Sequence, residues 1–439
     1  MSALIEIPLR SGRRRALVLA AAGGIAIILA LSAMRFGIAY TLADSTNISM
    51  VQKALWLDRS NPDIQHRLGV LYNQENAAPL KAVPWLRLSV QSDARRASHW
   101  VDLAWTCLAI ADQACAQEAF QRAIHSAPDR PHVELEVSNY MLVTGNPGEA
   151  VRHVARYMQL DPQHSGSVLG PYFRAFGDSQ PLWVALGKER DGNALQMILL
   201  DYLAKTGRAD QVPAYWREFV HATSNFPMNE TKELIEDLVN AKRYADAAQV
   251  WSDLQSHGLI THDSRNLVFN GSFEHSSEVP AFDWYFPQYP YVKTALTTGT
   301  AHDGAHSLLV DYSVPDNTES TAAAELVPVH PNRSYSLSAY VHSDDVTSDS
   351  GPRLRVLDPE CDRCVDADTA NTIGITPWRR VAVTFTTGPQ TKVVEVAVWR
   401  PRSRSFPMEI SGRFWVDSVS LEPLSLAETP RLQTAQVQR

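Results

Sequence analysis

The chain is short of almost everything that marks an enzyme or a nucleic-acid binder. No run of like charge is longer than Arg13-Arg14-Arg15, and 48 acidic residues against 40 basic ones leave a formal charge of -8. A phosphate-binding surface needs a basic excess, so nucleic acid is excluded as a partner. There is no G-x-S-x-G, no H-E-x-x-H, no phosphate loop and no dinucleotide fingerprint. The nearest approach, His164-Ser-Gly-Ser-Val168, lacks both the spacing and the strand–turn–helix context of a nucleophile elbow. No catalytic residue is assigned. The fourteen histidines are scattered.

Cysteine is also scarce. Four occur in 439 residues, as two close pairs, Cys107/Cys115 and Cys361/Cys364. Zinc would need a second ligand pair beside Cys361-Asp-Arg-Cys364, and a thioredoxin-like role would need a βαβ unit; neither is apparent. An even count outside the cytoplasm reads first as disulfides. For Cys107 and Cys115, two buried free thiols are the alternative. Disorder throughout is excluded by a hydrophobic fraction of 45% and a charged fraction of 20%.

Long apolar runs are limited to one, Ala16–Met34. As a helix it would be about 28 Å long, close to the hydrocarbon thickness of a bilayer. Arg10, Arg13, Arg14 and Arg15 precede it, and only Arg35 follows closely. The positive-inside rule places residues 1–15 as a cytoplasmic tail, 16–36 as a single-pass anchor, and the bulk outside the cytoplasm. A cleaved signal peptide would need a shorter core, and Leu42-Ala43-Asp44 is a poor cleavage site. A buried soluble helix is the third reading.

The middle of the chain, 45–260, reads as helix. Pro128 and Pro162 are 34 residues apart, as are Ala116 and Ala150. Residues 97–130 carry Trp100, Leu103, Ala104, Ala116, Phe120, Ala123 and Pro128. The following unit keeps Gly145, Ala150 and Pro162, and the preceding one keeps Leu68, Gly69 and Tyr72 before Pro84 interrupts it. On these residues the segment resembles a tetratricopeptide-repeat array, clear over 62–164 and divergent over 165–260. The resemblance implies stacked helical hairpins and a groove that docks a protein partner. A structural spacer is the plainer reading.

From Leu267 the period changes to strict alternation, best seen in Ser334–Val341. The expected strands are 267–269, 307–313, 322–328, 334–341, 353–357, 379–386, 392–400 and 413–422. So many strands in 265–424 imply an antiparallel two-sheet sandwich, a jelly roll. The residues after 425 read as a disordered tail. The domain opens with Asn270-Gly-Ser-Phe-Glu274, continues through His302-Asp-Gly-Ala-His306 and Trp378-Arg379, and closes with Trp415-Val-Asp-Ser-Val419. On these landmarks it resembles the galactose-binding-like jelly roll of bacterial carbohydrate-binding modules. The whole chain is similar to membrane-anchored tetratricopeptide proteins of bacterial exopolysaccharide assembly. That similarity implies an inner-membrane protein with its bulk in the periplasm.

The resemblance directs attention to aromatic platforms, because a sugar offers apolar C–H faces and polar edges. Phe282, Trp284, Tyr285, Phe286, Tyr289 and Tyr291 fall within ten residues, too many for one alternating face. Trp284, Tyr285, Tyr289, Tyr291, Trp399 and Arg400 are the expected glycan contacts. Trp284 and Trp399 filling the core is the alternative. Jelly rolls of this type often hold a structural calcium, and Glu274, Asp303 and Asp417 occupy matching positions. The alternative is that these carboxylates bond backbone groups at strand ends. The expected function is a non-enzymatic adaptor in surface-polysaccharide assembly or export. A purely structural scaffold subunit and a glycan-active hydrolase using Glu274 with Asp283 or Glu325 are the alternatives.

Overall fold

A computed structural model describes residues 12–74, 77–223, 226–260, 265–275, 281–406 and 408–424. Most of the expected cytoplasmic tail and the whole expected disordered tail, 425–439, lie outside the described residues. The chain divides into two compact units, Met1–Asp191 and Gly192–Arg439.

The first unit begins with α1 (Gly12–Ala43), a single helix that takes in the whole apolar run and continues past Arg35. It is long and apolar enough to cross a membrane. Helix α2 (Ile48–Leu57) follows after a turn in which the Asn47 side chain accepts the Ser49 N–H at 2.9 Å and caps the helix. Three hairpins come next: α3 (Pro62–Gln74) with α4 (Pro79–Ser92), α5 (Ala97–Ala109) with α6 (Gln113–Ser126), and α7 (Pro131–Val143) with α8 (Pro147–Leu160). Helices α9 (Gly166–Ala175) and α10 (Gln180–Leu186) complete the unit.

Small residues let these helices approach closely. A Cβ on Gly69 would lie 2.6 Å from Leu86 Cγ, so α3 and α4 need the glycine. Ala104, Ala116, Phe120, Ala123 and Val137 are buried in one core across two hairpins. Cys107 and Cys115 are joined, with Cα atoms 5.8 Å apart, tying α5 to α6. Pro84 does not interrupt its unit: α4 runs through it. The residue stands early in the helix and removes one N–H from a ladder that the flanking turns maintain.

The second unit starts with α11 (Gly192–Lys205), α12 (Val212–Ala222), α13 (Met228–Asn240) and α14 (Tyr244–Ser256). An antiparallel two-sheet sandwich follows. Its strands are β1 (Val292–Thr297), β2 (Ser307–Val314), β3 (Ser320–Pro328), β4 (Ser334–Val346), β5 (Arg353–Leu357), β6 (Asp366–Asp368), β7 (Gly374–Thr386), β8 (Val393–Arg400) and β9 (Ile410–Pro423). One sheet has the order β1-β2-β9-β4-β7 and the other β3-β8-β5-β6. Leu308, Val310, Leu337, Val341, Val394, Val396, Phe414 and Val416 alternate inward to form the core between them.

Residues 267–269 are not a strand. Leu267 N–H donates to the Leu421 carbonyl at 2.9 Å, and the next backbone bond to β9 comes only at Gly271, whose carbonyl accepts the Val419 N–H at 2.8 Å. The Asn266 side chain fills the gap between them. Its Oδ1 accepts the Leu421 N–H and its Nδ2 donates to the Val419 carbonyl. The backbone then turns at Asn270 and Phe273, both with positive φ. A Cβ on Gly271 would lie 2.0 Å from the Val419 carbonyl oxygen, so this approach to β9 is open only to glycine.

Helix α14 packs on the outer face of β3 and β8. Trp251 stacks on Phe282 at 5.4 Å and meets Phe269 edge-on at 5.5 Å. Burying a tryptophan between two rings carries much of the contact between helix and sandwich. Trp251→Ala is expected to destabilise this unit by about 3–5 kcal/mol, through the lost ring and the cavity left behind. Denaturant unfolding measures it. Phe406→Ala, on a ring 87% exposed, is the control and should change stability by less than about 0.5 kcal/mol.

Candidate functional site

In β4 the residues Tyr335, Leu337, Ala339 and Val341 point inward, so Tyr340 and His342 point outward. The same alternation turns Trp378 of β7 and Trp415 of β9 to the outer face of the five-stranded sheet. His342 stands opposite Trp415 in the β4–β9 register. Its ring lies 4.9 Å from Trp415 and 5.5 Å from Trp378. Its Nδ1–H donates to the Thr376 carbonyl at 2.6 Å, which fixes the ring's tilt. His302 stacks on Tyr340 at 3.5 Å and meets Trp378 at 5.8 Å. Five rings thus form a continuous surface across three strands.

Charged groups frame it. Arg413 lies over Trp415 at 5.4 Å and pairs with Asp344. Arg380, opposite Tyr340, is exposed, as is Asp311, opposite Arg413. Trp415 is buried beneath this cover, His302 is exposed, and Tyr340, His342 and Trp378 are half-buried.

His302 belongs to a loop held by two carboxylates. Asp417 Oδ2 accepts the N–H groups of His302 and Asp303, at 2.7 and 3.0 Å. Glu274 Oε1 accepts those of Ala305 and His306, at 2.7 and 2.9 Å, and Oε2 meets His306 Nδ1 at 2.9 Å. A Cβ on Gly304 would lie 2.2 Å from Glu274 Oε1, and the residue has a φ of +68°. Only glycine fits there. The His306 side chain, followed by the His306 and Ala305 N–H groups, pulls the Glu274 pKa from 4.5 down to about 2.

This geometry bears on the calcium expectation. Ca²⁺ takes six to eight oxygens aimed at one point. Here the loop aims N–H donors at both oxygens of Glu274 or at Asp417, while Asp417 Oδ1 accepts the Ser418 N–H and Asp303 Oδ1 the Gly304 N–H. The alternative reading of these carboxylates, bonding to backbone N–H groups, is the arrangement seen for Glu274 and Asp417, while Asp303 makes one such bond, to Gly304. Among the described residues, the one group of three close metal-ligating side chains is Cys107, Asp112 and Cys115, and its cysteines are bonded to each other.

The residues expected to contact glycan are dispersed. Trp284 is buried against Phe273 at 5.1 Å and faces no solvent. Arg400 is fully buried and donates to the carbonyls of Thr318, Ser350 and Met408, so it orders loops. Tyr285 bridges to Ala324 at the edge of β3, its hydroxyl bonded to Glu395, and burial pushes that hydroxyl to about 12. Tyr289 packs against the core, and Tyr291 is half exposed. Trp399 lies on the outer face of the other sheet, with Arg355 over its ring at 4.3 Å and its Nε1–H on Glu319. The structure therefore does not gather these six into one site. What reveals the five-ring surface is the alternation itself: aromatic residues at the outward positions of β4, β7 and β9.

No hydrolytic pair emerges from the expected carboxylates. Asp283 and Glu325 are buried. Glu325 Oε1 accepts the Phe269 N–H at 2.7 Å. Burial drives its pKa well above the usual carboxylate range, the Phe269 N–H opposes this, and the neighbouring Asp283 adds to it. Cys361 and Cys364 are joined in the loop after β5, with Cα atoms 5.4 Å apart.

No protein-family model and no curated protein matches the chain. Several solved structures are similar. A family 16 carbohydrate-binding module is 18% identical, covers 36% of this chain and 99% of its own, and gives a TM-score of 0.27. The CBM22-1 xylan-binding domain of a Paenibacillus barcinonensis protein is 14% identical over 38% of this chain and 99% of its own, with a TM-score of 0.26. The MamA protein is 17% identical over 48% of this chain and 95% of its own, with a TM-score of 0.29.

The Glu274 cradle has a pH signature. A carboxylate held at about 2 when folded, against 4.5 ordinarily, stabilises the fold above about 4.5 and loses that contribution as pH falls toward 2. Glu274→Gln should therefore melt below the wild type at neutral pH, and the gap should narrow from pH 4.5 to 2. Thermal unfolding across that range checks it.

Proposed function

We propose that the chain is a membrane-anchored, non-enzymatic adaptor in the assembly or export of bacterial cell-surface polysaccharide. Helix α1 holds it in the inner membrane as a single span, with the N-terminus cytoplasmic and the bulk periplasmic. The repeats dock a protein partner and the sandwich contacts glycan. The observation that carries the glycan half is the five-ring surface of His302, Tyr340, His342, Trp378 and Trp415 with its rim of Arg413, Asp344 and Arg380. Aromatic faces pack against sugar C–H groups, and charged rim residues bond the hydroxyls or acidic groups at the edges. An open, shallow face suits the side of a polymer chain better than a small molecule.

The docking half is supported by a row of polar side chains along the repeats. His66 Nε2 meets Asp102 at 2.6 Å, Asn73 donates to Thr106, and Trp105 Nε1–H donates to Glu136 at 2.7 Å. These pairs link α3, α5 and α7 and set polar side chains in register along successive repeats, a pattern suited to an extended peptide.

A scaffold role is the second reading, favoured by one observation. Ile373, Phe406 and Met408 are exposed on loops and Ile375 at the start of β7, where Arg400 bonds the Ser350 and Met408 carbonyls and Gly351 packs closely on Thr372 and Ile373. Such exposed apolar groups fit contact with another protein.

Affinity electrophoresis of the purified protein in gels cast with the host's polysaccharide separates the readings. Trp378→Ala and Tyr340→Ala should each weaken retention about tenfold, equal to about 1.4 kcal/mol. Trp399→Ala, on the opposite sheet, should leave it unchanged. Retention that survives Trp378→Ala and falls with Trp399→Ala would move the site to the other sheet. No retention of the wild type would remove the glycan half and leave the scaffold.

A further inference from the structure

The anchor and the first repeat are one piece of structure. Helix α1 does not end where its apolar run ends: it continues from Arg35 to Ala43, where Ala39 is buried and Leu42 and Ala43 pack against the core of Val51, Ala54, Leu55, Ile64 and Leu68. Helix α2 then doubles back along it. Arg35 Nε–H donates to the Leu57 carbonyl at 2.5 Å, so the last turn of α2 stands level with Arg35. Arg35 is the first residue past the apolar run that ends at Met34. With α1 read as a membrane span that ends at this charge, the end of α2 stands where hydrocarbon gives way to headgroups.

What α2 presents at that height is apolar and aromatic. Trp56, its penultimate residue, is 72% exposed. It lines a groove of about 480 Å³ with Gln52, Leu55, Arg59, Trp85 and Leu88. Phe36 and Tyr40 of α1 are also exposed, one and five residues beyond Arg35. At about 1.5 Å per residue they stand within about 8 Å of the hydrocarbon edge. Tryptophan and tyrosine combine an apolar ring with a polar tip and favour this layer, and an arginine beside them meets lipid phosphate.

We propose that the outer face of α2 and α4 around Trp56 is a second membrane contact, seated in the headgroup layer of the leaflet from which α1 emerges. It rests on the reading of α1 as a membrane span. The occupant is the lipid surface, because a residue held level with Arg35 meets headgroups before it meets any soluble partner. The consequence is a rigid mount: the anchor cannot swivel against the first repeat, and the contact sets the tilt of the array's first hairpin on the bilayer.

The test uses the full chain reconstituted in vesicles of phosphatidylcholine and phosphatidylglycerol. Single cysteines carrying an environment-sensitive fluorophore are introduced by Trp56→Cys, and by Leu88→Cys as a second site that leaves Trp56 in place. Ile27→Cys, in the apolar run, and Val143→Cys, at the far end of α7, are the references. The expected result is blue-shifted emission, quenched by lipids brominated near the headgroup, at positions 56 and 88, with position 143 unaffected and position 27 quenched by deep bromines. If position 27 is quenched while 56 and 88 behave like 143, the contact is overturned and the span stands. If position 27 is itself in water, the span fails and the contact with it.

Discussion

Two carboxylates gripping one loop are the constraint on which the sandwich's outer face depends. Glu274 lies before the first strand and Asp417 in the last, yet both spend their lone pairs on the N–H groups of residues 302–306. This ties the two chain ends of the sandwich together through one loop. It also places His302 against Tyr340, and so completes the aromatic surface. Gly304 is forced by the closeness of Glu274, and Gly271 by the closeness of β9. A mutation in this cradle would therefore reach the surface without touching any ring on it.

The sandwich was legible where side-chain alternation follows burial. The expected strands 307–313, 334–341, 353–357 and 413–422 lie within β2, β4, β5 and β9. Two kinds of residue misled. Leu267-Val-Phe269 has strand composition, but the side chain of Asn266 does the bonding a strand's backbone would do. Val292–Thr297, by contrast, is an edge strand with mostly exposed or half-exposed residues, and so carries no clear apolar pattern. The short strand at Asp366–Asp368 has two exposed acids and is held by Arg353 and Arg355 from β5.

The site was less legible than the fold, for a physical reason. A cluster within ten residues is visible along the chain, but three of its members, Phe282, Trp284 and Tyr285, are used to mount α14, fill the core and pair with β3. The surface rings are scattered along the chain and meet only through cross-strand register. His342 reaches Trp415 because β4 and β9 pair with these two residues opposite each other. Sequence spacing holds no record of that register. The parity of each residue within its strand does, and it was the one signal available.

On the proposed function, anchoring changes what a shallow surface is good for. An open face of five rings excludes little water and orders few ligand atoms, so each contact with a polymer is weak. Polysaccharide is repetitive, and the same unit recurs at the same face after each dissociation. A protein confined to a membrane also raises its local density, and a polymer bridging several copies converts weak single contacts into avidity. Tight single-site binding would oppose the proposed export role, because a chain in transit must be released at every step. Shallow aromatic geometry and the proposed membrane mount are thus functionally compatible. A deep pocket on a mobile domain would have argued for capture of a small ligand instead.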